Sequence, residues 1–287
     1  MNKKTCIIIS GPTAVGKTSF GIELALQHNT HIISADSRQC FKELNIGVAK
    51  PSAAELLKVK HHFIDTLSIQ EEVNAKIFEA YALQAVNEIF KNKDIAVMVG
   101  GTGLYIKAFT EGLDEIPGIN QNIRKDIKAR YDEEGIQWLQ REVASKDPDF
   151  FSQKEIENPQ RLMRALEVKL STGRSILAFQ SGRKVKRNFD IKHISLQLPR
   201  EQLYNNINQR VDMMMEAGLL HEAESLFPYR HLNALQTVGY KEIFRYMEGE
   251  FSLSQAVEEI KKNTRRFAKR QITWFNQQRE NTWDTSG

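Results

Sequence analysis

Residues 11–18 read Gly-Pro-Thr-Ala-Val-Gly-Lys-Thr, directly after the apolar run Cys6-Ile7-Ile8-Ile9 and directly before a helical pattern from Ser19 to Gln27. The spacing G-x-x-x-x-G-K-[ST] between a buried strand and a helix is that of a phosphate loop. Successive backbone N–H groups of such a loop, together with the positive end of the following helix, form a cradle for an anion. Gly11, Pro12, Thr13, Ala14, Val15, Gly16, Lys17 and Thr18 are therefore the candidate diphosphate- or nucleotide-binding residues. Lys17 adds a point charge. The Thr18 hydroxyl is the candidate metal ligand, completing a Mg²⁺ shell shared with a diphosphate.

Outward from the loop, strand and helix alternate over the first 110 or so residues, which predicts a parallel α/β sheet flanked by helices. Strands are expected at Thr5–Ser10, His31–Ser34 and Ile95–Val99, with a weaker one at His62–Asp65. Between them, helices are expected at about Thr18–His28 and Asn74–Asn92, the second burying Ile77, Tyr81, Ala85 and Ile89. Beyond Leu113 the texture changes to charge-rich and helical. The segment 115–189 is expected to be an inserted all-helical subdomain, and 1–114 with 190–287 the P-loop core with C-terminal helices. A strand at Lys192–Leu198 returns the chain to the sheet. Pro199 then opens a helix that stops at Gly218. The final helix, about Ser254–Gln278, starts with Ser252 and Gln255 at capping-box spacing. It carries Val257, Ile260, Thr264, Phe267, Gln271 and Trp274 as its packing line.

The bulk numbers narrow the class. The 287 residues are 41% hydrophobic with a net charge of +4, an ordinary globular balance in which basicity matters by location. Two cysteines, Cys6 and Cys40, argue against a disulfide framework or a Cys-rich zinc site. Met1-Asn2-Lys3-Lys4 runs straight into the first strand, so no signal peptide is expected. No apolar run reaches the ~20 residues a membrane span needs. The expectation is a cytoplasmic protein without membrane association, acting as a monomer.

Ser34-Ala35-Asp36-Ser37-Arg38-Gln39 follows the second strand, and ligands of open parallel sheets bind beyond the strands' carboxyl ends. Asp36 reads either as a helix-capping or Mg²⁺-organising group, or as a general base facing a second substrate, with Arg38 and Gln39 as recognition groups. No acid stands at the end of Ile95–Val99, where many ATPases place one, which favours group transfer over a motor-type NTPase. Arg161 and Arg164 share one side of a helix opened by Asn158 and Pro159. Lys261, Lys262, Arg265, Arg266, Lys269 and Arg270 stud the last helix, and Arg183–Arg187 is basic. Each group alone reads as a solvated face; together they point to a polyanionic partner. His61-His62 reads as packing or polar surface, and Met213-Met214-Met215 as core filler.

These motifs, with Asn-Ile-Gly-Val-Ala-Lys-Pro (45–51), Val-Gly-Gly-Thr-Gly-Leu-Tyr (99–105), Pro-Gln-Arg-Leu-Met-Arg-Ala-Leu-Glu (159–167), Val-Gly-Tyr-Lys-Glu (238–242) and Arg-Arg-Phe-Ala-Lys-Arg-Gln-Ile-Thr-Trp-Phe (265–275), resemble the tRNA dimethylallyltransferase family. The matches run in order from residue 11 to 275. The resemblance implies a P-loop core with a swinging helical insertion. It implies transfer of a dimethylallyl group from dimethylallyl diphosphate to N6 of adenine 37, in the anticodon loop of tRNAs reading codons that begin with U. It makes Asp36 the general base and Lys17, Thr13 and Lys241 further catalytic groups. Lys241 stands where relatives often have arginine, which keeps the charge without the bidentate fork. The implied tRNA-contacting positions are Asp36, Ser37, Arg38, Gln39, Thr102, Arg124, Gln160, Arg161, Leu162, Met163 and Arg164, and the implied cofactor is Mg²⁺. The competing readings are a small-molecule kinase holding ATP in the same loop, and an NTP-regulated RNA-binding module without chemistry.

Overall fold

The computed structural model describes residues 3–152 and 156–282, with side chains described through Gln277. Met1 and Asn2 of the expected lead-in, and residues 153–155 of the expected insertion, lie outside the described residues. The chain divides into two compact units, Met1–Gly112 with Lys186–Gly287, and Leu113–Val185.

The first unit is built on five parallel strands in the order β3-β2-β4-β1-β5. They are β1 (Thr5–Ser10), β2 (Ile32–Ser34), β3 (His61–His62), β4 (Ile95–Val99) and β5 (Asp190–Ser195). A parallel sheet is covered on both faces, so its strands are apolar runs rather than alternations. β1 accordingly buries all six of its residues, with β4 on one side and β5 on the other. α1 (Lys17–Gln27) packs Ile22 and Ala25 against Ile9, Ile32 and Val97. Another part of the core is aromatic. Phe78 of α3 (Ala75–Phe90) stacks on Tyr105 of α4 (Gly103–Glu111) with ring centroids 4.4 Å apart, and Phe63 meets Phe78 edge-on at 5.2 Å.

The α3 face differs from expectation. Phe78, Ala82, Ala85, Val86 and Ile89 are its buried line, while Ile77 is 40% exposed. An i, i+4 run drifts around a helix of 3.6 residues per turn, and the larger aromatic Phe78 decides which side turns inward. The weak strand is also shorter than expected. It ends at His62 because Phe63 (φ 63°) and Asp65 (φ 53°) adopt left-handed conformations that no strand continues through. Between β2 and β3 stands a short α2 (Ala53–Lys58) that the periodicity did not reveal, closed by a Ser52–Glu55 capping box.

After β5, α8 (Arg200–Glu216) runs from Pro199 to the left-handed Gly218 as expected. α9 (Leu219–Leu226) and α10 (Tyr240–Met247) then lead into α11 (Leu253–Thr282), whose capping box is formed: Gln255 N–H donates to Ser52's counterpart here, Ser252 Oγ, at 3.2 Å, and Ser252 N–H donates to Gln255 Oε1 at 2.8 Å. Met213 to Met215 are not core filler, since Met213 is 59% exposed and the other two are only part-buried.

The second unit is all-helical: α5 (Gln121–Lys146), broken at Gly135, then α6 (Pro148–Phe151) and α7 (Pro159–Thr172). Its core joins Trp138, Leu139 and Val143 of α5 to Phe150 of α6 and to Leu162, Ala165, Leu166 and Val168 of α7. Leu170, near the end of α7, is 43% exposed.

Candidate functional site

Three strand ends meet at one edge of the first unit. β1 runs into the loop 11–18, β2 into Ala35-Asp36, and β4 into Gly100-Gly101-Thr102. Backbone bonds lace them: Ala35 N–H to Val99 O at 2.7 Å, Gly100 N–H to Ile9 O at 3.1 Å, and Thr102 N–H to Ala35 O at 3.2 Å. Gly11 (φ 145°) opens the loop where a Cβ would stand 2.6 Å from the Leu196 carbonyl oxygen, so no side chain fits there. Ala14 (φ 64°) and Gly16 (φ 97°) take left-handed steps of the kind from which an anion nest is built.

The loop is held from below by α8 and α11. Ala14 packs with Leu203, Ile207 and Ala268. Gln271, buried on α11, accepts the Thr13 N–H on Oε1 at 2.8 Å and donates from Nε2 to Gly101 O at 3.0 Å. Asn206 of α8 donates to Ala14 O at 3.3 Å. One amide on α11 thus ties the β1 loop to the β4 loop.

Two cavities open on this scaffold. A polar one of about 250 Å³ is lined by Ala14, Gly16, Lys17, Thr18 and Ser19 of the loop, by Ala49, Lys50, Pro51 and Glu55, and by Arg210. A larger one of about 600 Å³ includes Thr13, Asp36, Ser37, Arg38, Thr102, Arg210 and Lys241, with Val211, Met214, Val238, Ile260 and Phe267 as apolar wall. Ala49 and Arg210 line both, so the two cavities adjoin.

Lys17 Nζ donates to the Pro12 carbonyl at 2.6 Å. Burial pushes its pKa down to about 7; the negative charge of Asp36 opposes this and the neighbouring Arg210 reinforces it. Asp36 Oδ1 accepts the N–H groups of Arg38 at 2.8 Å and Gln39 at 3.3 Å, the local capping pattern of an aspartate at a turn. The capping reading of Asp36 is therefore realised by one oxygen, which leaves Oδ2 for a second partner. Thr102 Oγ1 accepts the Ser37 N–H at 3.2 Å. Burial lowers the pKa of Arg38, with Asp36 partly restoring it, and burial lowers Arg210 as well; both guanidiniums remain cations at neutral pH.

Of the expected site residues, Thr13, Asp36, Ser37, Arg38, Thr102 and Lys241 share the large cavity, and Ala14, Gly16, Lys17 and Thr18 share the small one. Gly11, Pro12 and Val15 line neither and instead shape the loop. Gln39 is not brought to the large cavity: its Nε2 donates to Ala49 O at 3.0 Å and its Oε1 accepts the Ser34 hydroxyl at 3.1 Å. Lys241 is exposed and does not line the loop cavity.

In the helical unit, Arg124 makes a two-pronged bond to the buried Glu167, Nε to Oε1 at 3.1 Å and Nη2 to Oε2 at 3.2 Å, and Arg164 reaches the same carboxylate at 3.5 Å. Asn158 caps α7 by accepting the N–H groups of Gln160 and Arg161, which are exposed, and Met163 is part-buried. Leu162, expected among the RNA contacts, has its side chain fully buried in the helical core that also holds Trp138, Leu139 and Val143, because its position on α7 falls on the buried side of the helix. The basic groups elsewhere are partly structural too. Arg187 is tied to Glu79 at 2.6 Å and to the Phe109 and Ala108 carbonyls. Lys261 pairs with Asp212 and Glu258, and Lys262 with Glu259.

Sequence reading missed Arg210, which lines both cavities and donates from Nη1 to Thr13 Oγ1 at 3.3 Å. No local motif marks it; it is one arginine among the polar positions of α8. It also missed the tying role of Gln271, for which a signal existed: a long amide side chain in the packing line of the last helix.

Among the described residues no three His, Cys, Asp or Glu side chains stand together as a metal cage. An ion such as Mg²⁺ is usually held by one or two protein oxygens plus phosphate oxygens and water. Thr18 is the residue of the loop cavity suited to it. Among the described residues, no helix is long and apolar enough to cross a membrane.

Comparison with known proteins places this arrangement. The family described as IPP transferase matches residues 39–278. The tRNA dimethylallyltransferase of Christiangramia forsetii is 48% identical over 277 residues, 96% of this chain and 92% of the relative. That of Flavobacterium psychrophilum is 49% identical over 283 residues, again 96% and 92%. Among solved structures, a tRNA isopentenylpyrophosphate transferase from Bacillus halodurans is 35% identical with a TM-score of 0.70, covering 98% of this chain and 90% of its own. A eukaryotic dimethylallyltransferase described as acting on tRNA is 27% identical with a TM-score of 0.77, covering 94% and 69%. With the parallel sheet, the strand-end cavities and these likenesses together, the chain belongs to the IPP transferase family, whose curated relatives are tRNA dimethylallyltransferases.

Proposed function

We propose that the protein transfers a dimethylallyl group from dimethylallyl diphosphate to N6 of adenine 37 in the anticodon loop of tRNAs reading codons that begin with U, as a monomer in the cytoplasm. The observation that carries this reading is the pair of adjoining cavities, one cationic and bounded by the phosphate-type loop, the other partly apolar and bounded by Asp36.

The exocyclic amine of adenine is a weak nucleophile because its lone pair is delocalised into the ring. The allylic C1 compensates, since positive charge there is shared over the allyl system as the C–O bond to the diphosphate lengthens. Lys17, Arg210 and the loop amides stabilise the charge that builds on the departing diphosphate. Thr18 would hold Mg²⁺ together with diphosphate oxygens, and the bound ion supplies further charge neutralisation there. The new N6–C1 bond forms as the C1–O bond breaks, and Asp36 Oδ2 takes the N6 proton and passes it to solvent. Diphosphate leaves with the bonding pair. The base must be extruded to reach this carbon, at a cost of a few kcal/mol that is least in an already unpaired loop. Val211, Met214, Ile260 and Phe267 keep water from the allylic centre. Exposed Gln160 and Arg161, with Arg164, fit the tRNA backbone on the helical unit.

The test is mass spectrometry of nucleosides from unmodified tRNA incubated with the protein, dimethylallyl diphosphate and Mg²⁺. N6-isopentenyladenosine is the expected product. Unmodified adenine together with phosphate transfer from ATP to a small acceptor would replace this reading with a kinase.

A further inference from the structure

Glu222 belongs to none of the motifs above and lines neither cavity. It projects from α9, which is anchored by buried Leu219, Ala223 and Leu226. Its carboxylate accepts three consecutive backbone N–H groups: Asn45 at 3.2 Å and Ile46 at 2.8 Å on Oε2, and Gly47 at 2.9 Å on Oε1. Oε1 also accepts the Tyr240 hydroxyl at 2.6 Å. Four donors, none of them a cation, converge on one carboxylate.

Past Gly47 the segment is tied elsewhere, Gln39 Nε2 donating to Ala49 O at 3.0 Å and Lys50 Nζ to Phe41 O at 2.9 Å, whereas Glu222 holds the three N–H groups of residues 45–47. The segment's own backbone bonds are one-turn closures, Ala49 N–H to Ile46 O at 3.0 Å and Lys50 N–H to Asn45 O at 3.1 Å. Yet it walls both cavities: Gly47, Val48 and Ala49 face the Asp36 side, while Ala49, Lys50 and Pro51 face the loop side. The fully buried Tyr240 ring lies so close under Gly47 that a Cβ there would sit 2.6 Å from Cζ. Carboxylate and ring thus set the height and the tilt of the segment together.

We infer that Glu222 is a positioning residue for both substrates of the reaction proposed above. It clamps residues 45–47 so that the shared wall between diphosphate and acceptor base is built before either arrives. A wall ordered in advance spares each ligand the entropy of ordering it.

E222Q tests this with little change of shape. The amide keeps one acceptor oxygen but turns an NH₂ toward backbone N–H groups, so at least one of the three loses its acceptor. Hydrogen exchange of the substrate-free protein is expected to show amides 45–47 exchanging about tenfold or more faster, with β1 and β4 amides unchanged. Steady-state kinetics are expected to show kcat/KM falling about tenfold for dimethylallyl diphosphate and for tRNA alike, with the folded fraction unchanged. Unchanged exchange at 45–47, or activity lost only in proportion to folded protein, overturns the inference. Should E222Q not fold, E222D draws the carboxylate back by one methylene from the N–H groups of 45–47 and is read by the same exchange measurement, wild-type rates overturning the clamp. Because exchange is read without substrate, loosened amides in a protein that does not prenylate tRNA would support the clamp while rejecting the reaction.

Discussion

At the scale of single residues, charge placement carries the chemistry. Asp36 gives Oδ1 to its own turn, and the general-base role proposed for it falls to Oδ2. Asp36→Ala is expected to slow single-turnover prenylation by about 10²–10⁴-fold, the range of a lost general base, while tRNA binding by filter assay persists. Arg210→Ala is expected to cost about 10²–10³-fold in kcat/KM for dimethylallyl diphosphate, as loss of a donor to developing charge. Lys17 supplies a pH signature. Its pKa is lowered to about 7, chiefly by burial, so near pH 8 it is mostly neutral before ligand binds. An anion at the loop favours the charged form, so diphosphate binding at pH 8 takes up a proton. The uptake fades as pH falls below 7, where Lys17 is already charged. Calorimetric titrations in two buffers of different ionisation enthalpy should differ at pH 8 and converge near pH 6.

At the scale of elements, helices far along the chain hold loops near its start. Gln271 on α11 satisfies a donor of the β1 loop and an acceptor of the β4 loop at once. Gln271→Leu strips partners from two backbone groups and is expected to destabilise the fold by about 2–6 kcal/mol in chemical denaturation, at about 1–3 kcal/mol for each orphaned group. In the helical unit, Leu162 is fully buried between α5 and α7. Leu162→Ala is expected to cost about 2–5 kcal/mol, with loss of helical signal rather than of selective RNA affinity, which separates a packing residue from a contact residue.

At the scale of the whole molecule, the cations divide between scaffold and partner. Arg124, Arg164, Arg187, Lys261 and Lys262 each meet a carboxylate, so the count of basic residues overstates what a polyanion meets. Arg161, exposed at the start of α7, tests one of the expected phosphate contacts. Arg161→Glu is expected to lower the slope of log affinity for tRNA against log salt by about one contact's worth. An unchanged slope would remove it from the phosphate-contacting set.

The sequence by itself determined the local geometry. The strand–loop–helix at 5–27, the capping box at Ser252–Gln255 and the helix ending at Gly218 all rest on neighbours a few residues apart, and these were legible because such signals need no distant partner. The family was legible as well, since its motifs are quoted letter by letter along the chain. Tertiary structure alone decided which side of α3 is buried, that Leu162 faces a core, that Gln39 is spent on scaffold, and that Arg210, Gln271 and Glu222 reach loops some 180 to 260 positions away. Those choices depend on packing across the fold, where volume, burial and unsatisfied backbone groups select among side chains that look alike in a linear string.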